Sequence, residues 1–169
     1  MNNSSLSNAL FFITLVFLQV TLFNRIDFLG YLNPFIYILY LVYHPYDKEN
    51  RIPFIFTAFL LGLCIDIFSD SGGVHAAATL TTAFFRPVIL RWAFGLSFDH
   101  QTIKIGKTTF GQRFNYLILL ILTHHLVLFT LEIFSFAHLV ILLKKTIFST
   151  IFTLLLCLIF VSLFSKKRT

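Results

Sequence analysis

Charge is what this sequence has least of. Of its 169 residues 12% are Asp, Glu, Lys or Arg, against 57% hydrophobic, and the mean hydropathy is +0.86. Too few polar side chains are present to cover a soluble globule of that size, so the water-soluble classes are excluded and the chain reads as a membrane protein. Cysteine is scarce as well. Cys64 and Cys157 each sit inside an apolar run without metal-type spacing, which argues against a zinc site or a disulfide framework and leaves two packing residues. The opening MNNSSLSN lacks the basic residues of a signal peptide, and no small-residue cleavage pattern follows it, so the first apolar run is expected to stay in the protein. Gly106-Lys107-Thr108 lacks the upstream glycine of a phosphate-binding loop. With no cofactor motif, and no nucleophile, base and orienting acid that can be assembled, neither an enzyme nor a bound cofactor is expected.

What the sequence does contain is long apolar runs. Taken in order they predict an all-α integral membrane protein of about six transmembrane helices in one domain, residues 1–169, with spans near 6–23, 31–43, 53–68, 75–94, 113–133 and 139–164. The second is short, begins near Asn33-Pro34, and carries Tyr31, Tyr43 and Tyr46 towards its ends as an interfacial belt, with Tyr37 and Tyr40 inside. Residues 95–112 read as a surface loop, with room for a short hairpin around Gly106.

Charge predicts orientation. With both termini cytoplasmic, the inner side receives Lys48, Arg51, Arg86, Arg91, Lys104, Lys107, Arg113, Lys166, Lys167 and Arg168, and the outer side only Arg25, Lys144 and Lys145. Ten against three is the positive-inside pattern and agrees with an even number of spans. The net charge of +6 then reflects contact with anionic membrane lipid, and nothing points to nucleic acid. Arg86, deeper than Arg91, is expected to snorkel to the inner interface.

The chain is organised around residues 60–80, LLGLCIDIFSDSGGVHAAATL, an apolar run with one carboxylate, a Ser-Asp-Ser-Gly-Gly turn and a second, alanine-rich run. No neighbour in the chain offsets the charge of Asp66, and an acid inside a bilayer is by default a functional candidate. Its structural reading is a tie between the two flanking helices, or an acceptor for backbone N–H groups where the second begins. His75, Ser69, Thr79, Lys144 and Lys145 are the partners within expected reach. Both readings stay open. Ala76, Thr79 and Ala83 share one small-residue face, suited to close helix packing or to contact with a partner. Lys144 and Lys145 lie on the outer side against the charge rule, where they can meet an acidic partner or lipid headgroups. His124 and His125 are adjacent and point about 100° apart, so they cannot share a metal unaided. Glu132 shares a face with His125 but lies about 10 Å away along the axis. The roles of these three residues are left open, as are the oligomeric state, homo-oligomers included, and whether an outward cavity holds a ligand.

The run Gly62-Leu-Cys-Ile-Asp66-Ile-Phe-Ser-Asp-Ser-Gly72-Gly73-Val-His75-Ala-Ala resembles the signature of the rod-shape-determining MreD family: a Gly, an Asp four residues later, a Ser/Gly turn and a small-residue helix. Asn33-Pro34 with Tyr37, and Thr123-His124-His125, are similar to one branch of that family. Asp70 and the early Gly72-Gly73 pair depart from the family's commoner turn. The resemblance implies a non-enzymatic scaffold of the bacterial cell-wall elongation complex in the inner membrane. The implied partners are MreC, with one span and a periplasmic domain, the actin-like MreB, the polymerase RodA and its transpeptidase. The implied fold is similar to the substrate-binding S-components of energy-coupling-factor transporters, six helices with an outward cavity. That likeness supplies the alternative function, a small-molecule-binding transporter subunit, although span one offers only Ser5 and Ala9 as small docking residues.

Overall fold

The computed structural model describes residues 3–26, 33–45, 51–95, 105 and 108–164. Helix α1 is Asn3–Thr21, α2 is Ile38–Tyr43, α3 is Arg51–Ser69, α4 is Val74–Phe94, α5 is Phe110–Ile133 and α6 is Leu139–Phe164. Single 3-10 turns follow α1 at Phe23–Arg25 and precede α6 at Phe136–His138. Among the described residues no strand occurs. Tyr31, Tyr46, Lys48, Lys104, Lys107, Lys166, Lys167, Arg168 and the hairpin expected at Gly106 lie outside the described residues.

Among the described residues four stretches are long and apolar enough to cross a membrane: Leu6–Arg25, Arg51–Ser69, Phe110–Ile133 and Leu139–Leu163. Each has at least 19 residues, or about 28 Å of helix, close to the thickness of a hydrocarbon core. The 21-residue α4 has the length, but His75, Thr79, Thr82, Arg86 and Arg91 make it less apolar. The face pattern of α6 gives the environment independently. Ile147, Ile151, Leu155 and Ile159 are exposed, whereas Thr146, Ser149, Thr150 and Thr153 are buried. In water that arrangement would be inside out; in lipid, polar side chains belong between helices.

The second expected span is the one that forms differently. Helix covers only Ile38–Tyr43, about 9 Å of rise, and residues 33–37 approach it as non-helical backbone. Proline at 34 removes a backbone donor, and the segment is buried throughout, from Phe35 to Val42. Helices α3, α4, α5 and α6 pack in sequence against their neighbours, α1 lies against α3 and α2, and α2 also contacts α4; five of the six residues of α2 are buried. Helix α5 begins three residues earlier than expected, at Phe110, because Thr109 and Gln112 form a reciprocal capping box. It ends at Phe134 in a left-handed conformation, with φ of 40°.

Candidate functional site: a buried polar crossing beneath a cavity

The α3–α4 turn needs three left-handed residues, Asp70 (φ 50°), Gly72 (φ 69°) and Gly73 (φ 96°), which accounts for the Gly-Gly pair. Across it the Asp66 carboxylate accepts from the backbone N–H of His75 at 3.0 Å and of Ala76 at 2.8 Å, and from the Ser71 hydroxyl at 2.6 Å. Asp66 therefore caps the N-terminus of α4 from the preceding helix, and its charge faces the positive end of that helix. Gly62, one turn earlier on the same face of α3, makes the approach possible. A Cβ there would overlap the His75 carbonyl oxygen and Thr79 Oγ1. The small face Ala76, Thr79 and Ala83 is spent inside the bundle: all three are buried, Ala76 and Thr79 against Gly62. Of the two readings of this face, close helix packing is the one the buried side chains agree with, and the face is not available to a partner. Thr79 turns its hydroxyl back to the carbonyls of His75 and Ala76.

The His75 ring points away from Asp66, into the core. Its Nδ1 lies 2.8 Å from the Tyr37 hydroxyl, which lies 2.9 Å from Nε2 of His124. One phenolic proton serves only one of these contacts, so Tyr37 donates to one imidazole and accepts from the other. Phe35 packs at a tilt against the rings of His75, His124 and His125, with centroids 5.2–6.2 Å apart. His125 meets the Thr150 hydroxyl at 2.9 Å. Both histidines of α5 are fully buried core residues, and His124 Nδ1 and His125 Nε2 have no hydrogen-bond partner.

Buried non-helical backbone must have its polar groups satisfied by other parts of the protein. Gln19 of α1 accepts from the Ile36 N–H at 2.8 Å and donates to the Pro34 carbonyl at 3.0 Å. From α6, Thr153 Oγ1 accepts from the Phe35 N–H at 3.1 Å and Ser149 Oγ from the Asn33 N–H at 3.2 Å. At its other end α2 is closed by Arg86. The guanidinium donates to the carbonyls of Val42 (3.2 Å) and His44 (2.6 Å) and to the Tyr116 hydroxyl (2.8 Å), and sits 4.8 Å from the Phe54 ring centroid. Arg86 is 2% exposed, which corrects the snorkelling expectation: short α2 ends inside the bundle, and its last carbonyls require a buried cation. Beside it, burial pushes the His44 imidazole below its usual range; the hydrogen bond to the Pro45 carbonyl opposes that and the Arg86 charge adds to it.

Above the crossing lies a cavity of about 700 Å³, within the range of small-molecule sites. Gln19, Asn24, Asn33, Ser71, His75 and Glu132 give it polar walls, and Phe23, Phe35 and Phe68 apolar ones. Asn24 donates to Ser69 at 2.8 Å, tying the 3-10 turn after α1 to the end of α3 at the cavity. Glu132 pairs with Lys145 at 2.7 Å, whereas Lys144 is exposed. Lys145 is therefore not a free cation for a partner. Among the described residues no group of three or more His, Cys, Asp and Glu is placed to hold a metal.

Asp66, Gly62 and His75 are legible in the sequence as candidates, whereas Gln19, Ser149 and Thr153 enter only with the structure. The available signal was the run of hydroxyls at 146, 149, 150 and 153, spaced by three and one, a buried polar stripe on an otherwise apolar helix. No family model, curated protein or solved structure matches the chain.

Proposed function

We infer that the protein is a non-enzymatic, MreD-like scaffold of the bacterial wall-elongation machinery, which holds an MreC-type single-span partner by lateral helix packing. The observation that carries this reading is the joint work of the residues behind the resemblance. Gly62 admits α4, Asp66 caps it, Gly72 and Gly73 make the turn, and His75 leads to Tyr37 and His124, so the short signature has one coherent task. The proposal includes an inner-membrane location, six crossings with both termini cytoplasmic, and an S-component-like fold; 31–43 then makes a broken crossing completed by α2. With the small face of α4 consumed, the partner surface is an outward apolar one. Leu6, Leu10, Ile13 and Phe17 of α1, or Ile147, Ile151, Leu155 and Ile159 of α6, offer it.

The test is co-purification of tagged protein from mildly solubilised membranes. An MreC-type protein, with MreB, RodA or the transpeptidase, is the expected companion, and Ile13→Ala/Phe17→Ala or Ile151→Ala/Leu155→Ala lowers its recovery at unchanged membrane abundance. Recovery of no wall-synthesis component with the unaltered protein overturns the reading. The 700 Å³ cavity favours one second reading, a small-molecule-binding subunit of a transporter; an ATPase module among the companions would support it.

A further inference from the structure

The 700 Å³ cavity is open at its rim, and the state of each wall group says what it can still bind. Asn24, Ser69, Asp70 and Glu132 are exposed around it, whereas Gln19, Phe35 and His75 are buried at its floor. Most of the donors are spent. Gln19 gives its amide hydrogens to Asn24 and to the Pro34 carbonyl, Asn24 donates to Ser69, and Ser71 donates to Asp66. The acceptors are not spent. Among the described residues the Asp70 carboxylate meets no hydrogen-bond donor and no cation, and Glu132 gives one oxygen to Lys145 and keeps the other. On the floor, His75 commits Nδ1 to Tyr37, while its Nε2 has no partner and is not sealed from the cavity.

Charge points the same way. Two carboxylates line the cavity and, among the described residues, no Lys or Arg does so; Lys145 and Arg25 stand outside the lining. Anions are disfavoured there, and a ligand that brings hydrogen-bond donors and a positive charge is favoured. Phe23, Phe35 and Phe68 offer ring faces to a cation and apolar surface to the body that carries it. Asp70 marks the place most clearly. Its backbone is left-handed, with φ of 50°, so a carboxylate stands where glycine would be less strained, and the turn itself makes no use of it. A donor on His75 Nε2 requires that nitrogen to be an acceptor. Nδ1–H then donates to Tyr37 and the Tyr37 hydroxyl donates to Nε2 of His124, so an occupied cavity sets the direction of the buried crossing.

We propose that the cavity binds a primary ammonium compound with an apolar body, drawn by the Asp70 and Glu132 carboxylates, with the His75 Nε2 lone pair as its acceptor and its body against Phe23, Phe35 and Phe68. This rests on the reading of the cavity as a small-molecule site and names the class of its ligand.

The full chain, purified in a mild detergent at neutral pH, is to be titrated with three probes of one shape, phenethylamine, phenethyl alcohol and hydrocinnamate, with affinity read by calorimetry and the melting temperature in parallel. The amine is expected to bind about tenfold more tightly than the alcohol and to raise the melting temperature, and the acid to bind least. The deciding variant is Asp70→Asn, which removes the charge and keeps a residue that tolerates the left-handed backbone. It is expected to weaken the amine about fivefold and to leave the alcohol unchanged, which shows that the cavity is intact. Asp70→Gly, easier still on the turn, is expected to do the same. Equal binding of the three probes, or an amine preference that survives both variants, overturns the proposed class while leaving a small-molecule site. Binding of none overturns that reading of the cavity as well. Equal stabilisation by magnesium chloride overturns the proposal in favour of an inorganic cation.

Discussion

Each end of the bundle buries one charge, and the two are handled differently. Where α3 turns into α4, Asp66 is 5% exposed and three donors answer it, two of them backbone N–H groups of the helix it caps. Where α2 stops, Arg86 is 2% exposed and answers the carbonyls of a helix end, with one nitrogen left over. The carboxylate stands at a helix N-terminus and the guanidinium at a helix C-terminus, so the backbone dipoles favour both. Only the first is complete within the protein. The difference follows from geometry: a carboxylate is satisfied by a few donors from one turn, whereas a guanidinium has five N–H groups in a fixed fork and needs acceptors on several sides. The end closed by Asp66 also lines a cavity.

The sharpest way to break this comparison is at Gly62. Gly62→Leu drives a side chain into the His75 carbonyl and the Thr79 hydroxyl, separates α3 from α4 and strips Asp66 of its partners; a loss of about 4 kcal/mol is expected, read as near-disappearance of folded protein from membranes. Asp66→Leu keeps the helices close but leaves three donors unanswered, for a loss of about 3 kcal/mol. Asp66→Asn retains an acceptor oxygen and should keep most of the abundance; normal abundance with no function would instead show that the charge itself acts.

At the other end, Arg86→Met is expected to cost about 2 kcal/mol, less than Asp66→Leu, since the methionine fills the volume and removes a cation that was not fully paired. Melting temperatures in detergent measure the order, and a larger loss for Arg86→Met would reverse the comparison. Tyr37→Phe is the mildest change, about 1 kcal/mol, because it removes one hydroxyl that bridges His75 and His124 and keeps the ring packing against Phe35. An unchanged melting temperature there would mean that the two rings find other partners without it.

How much of this was legible beforehand differs by residue. Asp66 stood out because a lone carboxylate in an apolar run has few bland explanations, and its backbone-acceptor reading needed only the knowledge that a turn follows. Arg86 was visible too, but its direction was not: a long side chain on α4 can snorkel outward or turn inward, and the choice depends on whether another helix ends beside it. The small face of α4 was legible as a packing surface, while its packing against Gly62 emerged only when α3 and α4 were brought together.

Composition and apolar run length determined that the chain is helical and built for a bilayer, because in lipid each backbone polar group must be satisfied within the protein and helices do so locally. Such an argument works within one span. It could not say that 33–43 would yield only six residues of helix, because the alternative to helix there depends on Gln19, Ser149 and Thr153, each bonding a residue 17 to 118 positions away in the sequence. Those hydrogen bonds replace the local ones that a full span would have made. The cavity, the Tyr37 crossing and the buried end of α2 all follow from that exchange, and only the tertiary structure could decide it.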